Sequence, residues 1–349
     1  MLSPKVYIVV LNYNGWADTI ECLESLAKLT FPCYQVVVVD NFSENDSLLR
    51  IREWADGNLA VVLPEDNLLR HLTFPLSHKP ISYRLYSCEE AENGVNRDDQ
   101  DDLILIQTGA NLGFAGGNNV ALRYVLNKGD ADYIWLLNND TVVEPDSLSH
   151  LVHCFADDKT EQVGIVGAKI RYYHDPAVIQ CIAGAYYNKW LGYSRQIGNH
   201  QLDQGQYDWS VIKPDLIIGA CMLISAHFLQ VVGLLNEEYF LYFEEQDWAE
   251  RAKRKKFKLH YTTQAIVYHK EGSTIGANQW KGSSLFSDFY SARSKLLFTE
   301  RYFGNLALLT VRMSFILTIL NRIRRGQFDR VFMLIKLIMN PHKEKLSRK

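Results

Sequence analysis

The sequence lacks several features that mark common functional classes. Its 349 residues include only six cysteines, with no C-x-x-C pair and no metal-type spacing, which argues against a disulfide scaffold or a zinc finger and indicates reduced thiols in a cytoplasmic protein. A net charge of −3 argues against a nucleic-acid binder with a basic surface. The first residues show no signal-peptide pattern, so we expect no secretion signal.

The fingerprints of two nucleotide-binding enzyme classes are also missing. A dinucleotide oxidoreductase would carry G-x-G-x-x-G after its first strand, but the first apolar run here ends in Asn-Tyr-Asn-Gly at residues 12–15. A nucleotidyltransferase would carry a glycine-rich loop with Lys or Arg at the same point, and this sequence has none there. Both classes are therefore disfavoured.

What is present is an alternation of apolar, β-branched runs with helix-like segments. The first four runs occupy residues 6–11, 36–39, 103–106 and 133–137. This alternation predicts an α/β fold with a doubly wound, mainly parallel sheet flanked by helices. The polar residues that follow the four runs are Asn12, Asp40, Asn111 and Asp140. Since ligands bind at the carboxyl ends of such strands, we expect a site at this edge of the sheet.

The stretch Asn-Leu-Gly-Phe-Ala-Gly-Gly-Asn-Asn at residues 111–119 lies between a predicted strand and a predicted helix. Glycine allows close approach of the backbone to a ligand, and the start of a helix offers unpaired N–H groups to an anion. An ordinary tight turn has the same composition. Glycine content alone leaves both interpretations open.

Residues 64–102 interrupt the alternation with nine acidic and four basic residues. We interpret them as an insertion that forms either a mobile flap near the site or a surface excursion. Its apolar residues are typical of a small hairpin, and they are Phe74, Ile81, Tyr83, Leu85 and Tyr86.

The last part of the chain is basic. From residue 301 onward there are eleven Lys and Arg against two acids, so the rest of the chain is acidic. Apolar runs at residues 306–320 and 331–338 are interrupted by Arg312 and Lys336, which favours helices lying in a membrane interface over packing on the body. We therefore expect a body at residues 1–290 and a helical tail at 291–349 that meets an anionic membrane surface, peripheral to the inner face of the cytoplasmic membrane.

Several motifs in series resemble the family 2 glycosyltransferases of GT-A fold. Within that family, the resemblance is strongest to the bacterial rhamnosyltransferase-like branch. The motifs are Leu-Asn-Tyr-Asn-Gly (11–15), Val-Asp-Asn-Phe-Ser (39–43), the glycine-rich stretch, Leu-Asn-Asn-Asp-Thr (137–141), Gly-Ala-Cys-Met (219–222), Phe-Glu-Glu-Gln-Asp (243–247) and His-Lys-Glu-Gly-Ser (269–273). The resemblance implies inverting, metal-dependent transfer of a sugar from a pyrimidine nucleoside-diphosphate sugar to a saccharide or lipid-linked saccharide of an envelope polysaccharide.

The resemblance also implies a divalent cation, Mg²⁺ or Mn²⁺, beneath the leaving diphosphate. Asp140 matches the last acid of the family's D-x-D motif, and His269 matches a histidine that ligates the metal in some members. Asn138 stands where the first acid would be, so a catalytically degenerate module that binds a sugar nucleotide without turnover is the alternative.

The acids at residues 244–247 are the candidates for the catalytic base. In the family the second acid of this motif takes the proton of the acceptor hydroxyl, which points to Glu245. Asp247 is the second candidate, Glu244 lies beside them, and Arg251 is spaced to orient either acid. An exposed acidic patch is the structural alternative.

The remaining site residues follow from the same resemblance. The nucleotide-binding set comprises Asn12, Asn14, Asp40, Asn111, Gly113, Gly116, Asn118, Asn138 and Asn139, with Asp40 on the pyrimidine N3–H. The set near the sugar or acceptor comprises Gly219, Ala220, Arg251 and Trp280.

Overall fold

The computed structural model describes residues 3–93, 101–156, 162–271 and 284–342. The strands are β1 (Val6–Asn12), β2 (Tyr34–Asp40), β3 (Tyr83–Ser87), β4 (Leu103–Gln107), β5 (Tyr133–Asn138), β6 (Thr141–Val143), β7 (Val163–Tyr172), β8 (Val178–Ile182), β9 (Gly184–Asn188), β10 (Tyr193–Gln196), β11 (Gln201–Leu202), β12 (Leu216–Ile217), β13 (Cys221–Ser225) and β14 (Lys258–His269). The helices are α1 (Trp16–Leu26), α2 (Ser47–Ala55), α3 (Arg70–Thr73), α4 (Cys88–Asn93), α5 (Gly113–Lys128), α6 (Ser147–Ala156), α7 (Ala226–Val232), α8 (Glu244–Arg254), α9 (Leu285–Arg324) and α10 (Phe328–Met339).

The central sheet has the strand order β11-β8-β7-β13-β5-β1-β2-β4-β3, and the four predicted strands are its parallel half. Strand β1 is buried on both faces, as expected of a β-branched run covered by helices. The parallel register places Asn12 beside Asp40 on one side, and Leu11 beside Asn138 on the other. The sheet therefore brings three polar strand ends to one edge. Asn12 and Asp40 are two of the four residues predicted there, and Asn138 precedes a third of them, Asp140, by two residues.

The other half of the sheet is mixed and brings a distant residue to the same edge. Strand β13 pairs antiparallel with β5, and β14 pairs in parallel with β7 and antiparallel with β6. The β14–β6 register places His269 opposite Thr141, one residue beyond Asp140. The predicted metal pair is thus assembled by strand pairing rather than by proximity in sequence.

The described part of the 64–102 insertion packs on the body. The hairpin prediction is wrong, because β3 pairs in parallel with β4 and extends the sheet by an edge strand. Leu69 and Leu72 are buried in a cluster with Tyr173 and Tyr268. These contacts do not fit a mobile flap, since apolar burial and main-chain pairing both hold the segment against the sheet.

The tail does not separate from the body at residue 290. Helix α9 runs through that position and is kinked only at Gly304, where φ is 73°. Its first half is joined to the body, since the Ser294 hydroxyl donates to the carbonyls of Tyr239 and Leu241 at 3.2 and 3.0 Å. The second half of α9 and α10 form a helical hairpin, whose core residues Leu308, Val311, Phe315, Leu334 and Leu337 share one cluster with residues of the first half of α9. We call this unit the tail hairpin.

Candidate active site

Asp40 lies at the end of β2 and its carboxylate is oriented by neighbouring strand ends. The carboxylate is buried, and its Oδ1 accepts hydrogen bonds from Asn12 Nδ2 at 2.8 Å and from the Ser43 hydroxyl at 2.6 Å. The Asn14 N–H donates to the same hydroxyl, and its side-chain oxygen accepts from the N–H of Glu44. Asn12 and Asn14 thus hold Asp40 and its loop. Ser43 completes this arrangement. It belongs to the motif at residues 39–43 but is not among the predicted site residues.

The glycine-rich stretch is mostly helix, because α5 begins at Gly113. Gly116 and Asn118 therefore lie within the first two turns, where a Cβ at Gly116 would stand 2.7 Å from the Leu112 side chain. The Asn118 amide is buried and donates to the Phe114 carbonyl at 2.9 Å. Gly116 and Asn118 therefore serve the packing of the helix and are not directed at a ligand. Asn111 caps the turn instead, since its Oδ1 accepts from the Gly113 N–H at 3.0 Å.

Gly113 connects this turn to the segment that precedes the acidic helix. It has φ of 72°, and a Cβ at this position would stand 2.2 Å from the Phe240 carbonyl oxygen. The Phe114 N–H donates to the same oxygen at 2.8 Å. Glycine is required here by both the left-handed backbone and the close approach. The turn at 111–113 and the entry to α8 therefore form one packed unit.

The entry to α8 is strained. Phe240, Tyr242 and Phe243 have φ of 64°, 66° and 73°, a conformation that costs on the order of 1–3 kcal/mol at each non-glycine residue. Helix α9 compensates, because the ring of Phe240 stacks on Tyr290 at 4.6 Å and that of Phe243 packs on Phe298 at 5.5 Å. Such strain concentrates at functional sites, and here it sets the direction in which α8 starts.

The acids stand on the first turn of α8, which starts at Glu244 and ends at Arg254. A start at Glu244 is favoured because carboxylates are stabilised at the positive end of the helix dipole, and the helix ends before Lys258, which belongs to β14. Glu244 is buried, and within the described ranges its Oε1 has no hydrogen-bond partner. Burial and the neighbouring charge of Glu245 raise the pKa of Glu244 well above its usual value. The acids are therefore not an exposed acidic patch.

Glu245 is half-buried and faces the loop before β13. Its Oε1 accepts from the Gly219 N–H at 3.1 Å, and a Cβ at Gly219 would stand 2.6 Å from that oxygen. Burial raises the pKa of Glu245, and the hydrogen bond from Gly219 opposes that rise only in part. A carboxylate with a raised pKa is a better proton acceptor near neutral pH than an ordinary one.

Asp247 differs from Glu245 because its carboxylate is saturated with partners. It is fully buried, and it accepts from Arg251 Nε at 2.6 Å, from Tyr302 OH at 2.7 Å and from Tyr239 OH at 3.3 Å. The other guanidinium nitrogens of Arg251 donate to the Val232 and Leu234 carbonyls at 2.8 Å each. Arg251 therefore anchors Asp247 to the body, and neither side chain is directed at a sugar.

The Asp140 carboxylate and the His269 imidazole lie close together, just after the end of β5 and at the end of β14. Asp140 Oδ1 and His269 Nε2 are 3.1 Å apart, and Asn138 Nδ2 is 3.4 Å from the same nitrogen. Gln180 Oε1 lies 3.0 Å from His269 Nδ1, which places the ring proton there and turns Nε2 toward Asp140. Burial lowers the pKa of His269, whereas the charge of Asp140 and its hydrogen bond raise it. The second effect is larger, so the pKa of His269 lies above its usual value.

The pair fits a divalent cation. Two ligands about 2.1 Å from a metal at right angles lie roughly 3 Å apart, close to the observed 3.1 Å. Over the described ranges no third His, Cys, Asp or Glu completes a protein cage. Mg²⁺-type sites commonly use one or two protein ligands and fill the other positions with phosphate oxygens and water. Asn139, by contrast, is buried and donates to Thr19 Oγ1 at 3.0 Å, a packing role.

Two consecutive residues, Gly219 and Ala220, connect Glu245 with Asn138, which precedes Asp140 by two residues. The Ala220 carbonyl accepts from the Asn138 N–H at 3.1 Å, while the Gly219 N–H binds Glu245. Glu245 in turn lines a cleft of about 730 Å³, which is bounded by β10 and α9. We call it the Glu245 cleft. Trp280 lies outside the described residues.

The comparisons with known proteins agree with this architecture. Residues 88–281 match a family model described as glycosyltransferase like family 2, and residues 7–70 match one described as glycosyl transferase family 2. The first match spans more than half of the chain. The chain belongs to glycosyltransferase-like family 2, with a GT-A fold.

Individual relatives are distant. The low-salt glycan biosynthesis hexosyltransferase Agl10 of Haloferax volcanii is 23% identical over 206 residues, which are 58% of this chain and 62% of that protein. Among solved structures, the mannosyltransferase PcManGT of Pyrobaculum calidifontis, in complex with GDP-Man and Mn²⁺, gives a TM-score of 0.54 at 13% identity, over 99% of this chain and 89% of that one. GalNAc-T7 with UDP, GalNAc and Mn²⁺ gives 0.51 at 13% identity, over 83% and 47%. Family and fold are thus confirmed; the rhamnosyltransferase-like branch stays a prediction.

Proposed function

We propose that this protein is an inverting glycosyltransferase that moves a sugar from a pyrimidine nucleoside-diphosphate sugar to a hydroxyl of a saccharide or lipid-linked saccharide in envelope polysaccharide synthesis. The observation that carries the proposal is that Gly219 binds Glu245 while the next residue, Ala220, accepts from the main chain of Asn138, whose side-chain nitrogen lies 3.4 Å from His269 Nε2. A carboxylate with a raised pKa and a metal-type pair suit attack by a hydroxyl and departure of a diphosphate.

Each residue then has one chemical task. The Asp40 carboxylate, held by Asn12 and Ser43, accepts the N3–H of the pyrimidine. Glu245 takes the proton of the acceptor hydroxyl while the hydroxyl oxygen bonds to the anomeric carbon. The bond from that carbon to the diphosphate oxygen breaks on the opposite face. A divalent cation held by Asp140 and His269 would neutralise charge on the departing diphosphate. Because Asn138 replaces the first acid of the motif, Asp140 is the one carboxylate left to bind the cation. His269 would supply the second ligand.

The first test is a thermal-shift screen with dTDP-rhamnose, UDP-sugars and GDP-mannose, each with and without Mn²⁺. A ligand that binds only the folded state stabilises it by about 2.7 kcal/mol at 100 times its Kd. We expect the pyrimidine compounds to raise Tm by several degrees and Mn²⁺ to enlarge that rise. A larger rise with GDP-mannose would contradict the role of Asp40, and no rise with any donor would contradict the donor site.

We further propose that the tail hairpin lies on an anionic membrane surface. Both of its helices bury one apolar face in the protein and expose another, formed by Leu306, Leu309, Met313, Ile316, Leu317, Leu320, Phe328, Phe332, Ile335 and Met339. By length and composition alone α9 could cross a bilayer, but its first half packs on the body and Arg312 interrupts the second half. Within the described part of the chain, the exposed Arg324, Arg325 and Lys336 form no ion pair, so they remain available to anionic headgroups.

A double substitution tests this orientation. We expect Leu317→Glu with Met339→Glu to weaken association with phosphatidylglycerol-containing vesicles roughly 100-fold or more, because each buried apolar side chain contributes about 1.5–3 kcal/mol. These residues are 75% and 78% exposed, so the folded protein should tolerate the change. The matched control is Val62→Glu with Leu202→Glu, two exposed apolar residues of the body. Equal sedimentation of both variants with the vesicles would refute the membrane contact.

A further inference from the structure

Lys295, on the first half of α9, lines the Glu245 cleft and has no carboxylate partner among the described residues. Its aliphatic stem is fixed by the β9–β10 turn, where a Cβ on Gly192 would stand 2.9 Å from its Cγ and Cδ. Its ammonium nitrogen lies 5.2 Å from the ring centroid of Phe315. Burial lowers the pKa of Lys295, so its charge is held in the cleft at an energetic cost.

The charge around this cleft favours an anionic ligand. Arg195 of β10 lines it together with Lys295, and Glu245 contributes the one carboxylate of its described lining. A group with negative charge would compensate the buried cation, and a phosphate or carboxylate is the matching chemistry. Glu245 is assigned to the proton of the acceptor hydroxyl, so Lys295 is left for another part of the acceptor.

The position of the cleft relative to the tail hairpin indicates where such an anion comes from. Val311 and Phe315 of the tail hairpin contact Gly192 and Lys295 at the cleft wall. The opposite face of the same helix carries exposed Leu309, Met313 and Leu317. One helix thus separates the cleft from the surface proposed to meet lipid. The headgroup of a lipid-linked acceptor has to extend past this helix to reach the cleft.

We propose that Lys295 binds the phosphate of a lipid-linked acceptor, next to the hydroxyl that Glu245 deprotonates. This inference rests on the proposed function, since it assigns the acceptor of that reaction. It names a specificity residue that acts on the acceptor and not on the donor.

Binding of dodecyl phosphate tests the proposal without any transfer reaction. The titration is done in EDTA, so that no cation on Asp140 and His269 attracts the phosphate, and dodecyl maltoside reports binding of the alkyl chain alone. We expect Lys295→Met to weaken dodecyl phosphate roughly 10-fold or more, as loss of a charged hydrogen bond implies, and to leave dodecyl maltoside unchanged. Lys295→Arg should retain most of the affinity, and Lys189→Met, on the exposed β9–β10 turn, should behave as wild type.

The outcomes separate the competing explanations. Equal dodecyl phosphate affinity of wild type and Lys295→Met would overturn the proposal, provided that both melt alike. Methionine matches the length of the stem and removes a buried charge, so we expect no loss of stability. If glucose 1-phosphate or inorganic phosphate bound as tightly with the same dependence on Lys295, the lipid-linked source would be overturned. If no donor supported transfer, the proposed function would fail while the binding result at Lys295 stood.

Discussion

Glu245→Gln is expected to lower kcat for sugar transfer by roughly 10²–10⁴-fold, the range that a general base contributes, and to leave nucleotide affinity unchanged. Glutamine preserves the size of the side chain, and its carbonyl oxygen can still accept the hydrogen bond from Gly219. The variant therefore loses proton acceptance and little else. Initial rates and nucleotide titrations on the same preparation separate the two quantities.

Asp247→Asn is the informative partner variant. Its carboxylate is buried against Arg251 and Tyr302, so removal of the charge leaves a cation without its partner, at a cost of about 3–5 kcal/mol. We expect a lower Tm rather than a selective loss of kcat. Full activity of Glu245→Gln would refute the base assignment. A loss of kcat at unchanged Tm in Asp247→Asn would move the assignment to that residue.

The pH profile of the wild type provides an independent check on Glu245. A base acts only when it is ionised, so activity is complete above its pKa and is lost as the pH falls through it. Burial raises the pKa of Glu245 above the usual value for glutamate, and that of Glu244 beside it further still. The acidic limb of kcat should therefore have its midpoint above that of an exposed glutamate. In Glu245→Gln this limb should disappear from the residual rate.

The local part of this site could be predicted from the sequence. The run Val-Tyr-Ile-Val-Val at residues 6–10 is β-branched and apolar, and in the structure it is buried on both faces. Because parallel strands share a direction, polar residues after such runs meet at one edge, and Asn12, Asp40 and Asn138 do.

The errors arose where tertiary contacts override a local pattern. The glycine content of residues 111–119 leaves a ligand loop and a tight turn open, and neither predicts that α5 begins at Gly113. Gly113 and Gly117 allow that start because their backbones pack closely against Phe240 and Leu11. The 83–87 segment reads as half of a hairpin until the exposed edge of β4 pairs with it in parallel. Gln180 lies 89 residues from His269, and Tyr302 lies 55 residues from Asp247. Lys295 is likewise distant in sequence from Gly192, which its side chain contacts. No spacing rule links such residues, so their roles emerge only from the fold.

Asp140→Asn is expected to remove the Mn²⁺-dependent part of the stabilisation by a nucleoside diphosphate. The substitution takes away the one carboxylate of the pair, and hard divalent cations bind neutral amide oxygen more weakly than carboxylate. Changes even to groups that orient metal ligands typically reduce affinity by about 10–100-fold, so loss of a ligand should reduce it at least that much. Gln180→Leu, which frees the His269 ring, should give the smaller effect.

Two readouts keep this result separate from turnover. Mn²⁺ affinity is measured by calorimetry in the presence of UDP, and the Tm shift caused by UDP is compared with and without Mn²⁺. Asp130→Asn is the matched control, because that carboxylate pairs with Lys5 and Tyr7 at the other end of β1. If Asp140→Asn kept the full metal-dependent shift while His269→Gln also kept it, the cation would have to bind elsewhere. If the wild type showed no such shift yet transferred sugar, the assignment of Asp140 and His269 to a cation would be overturned.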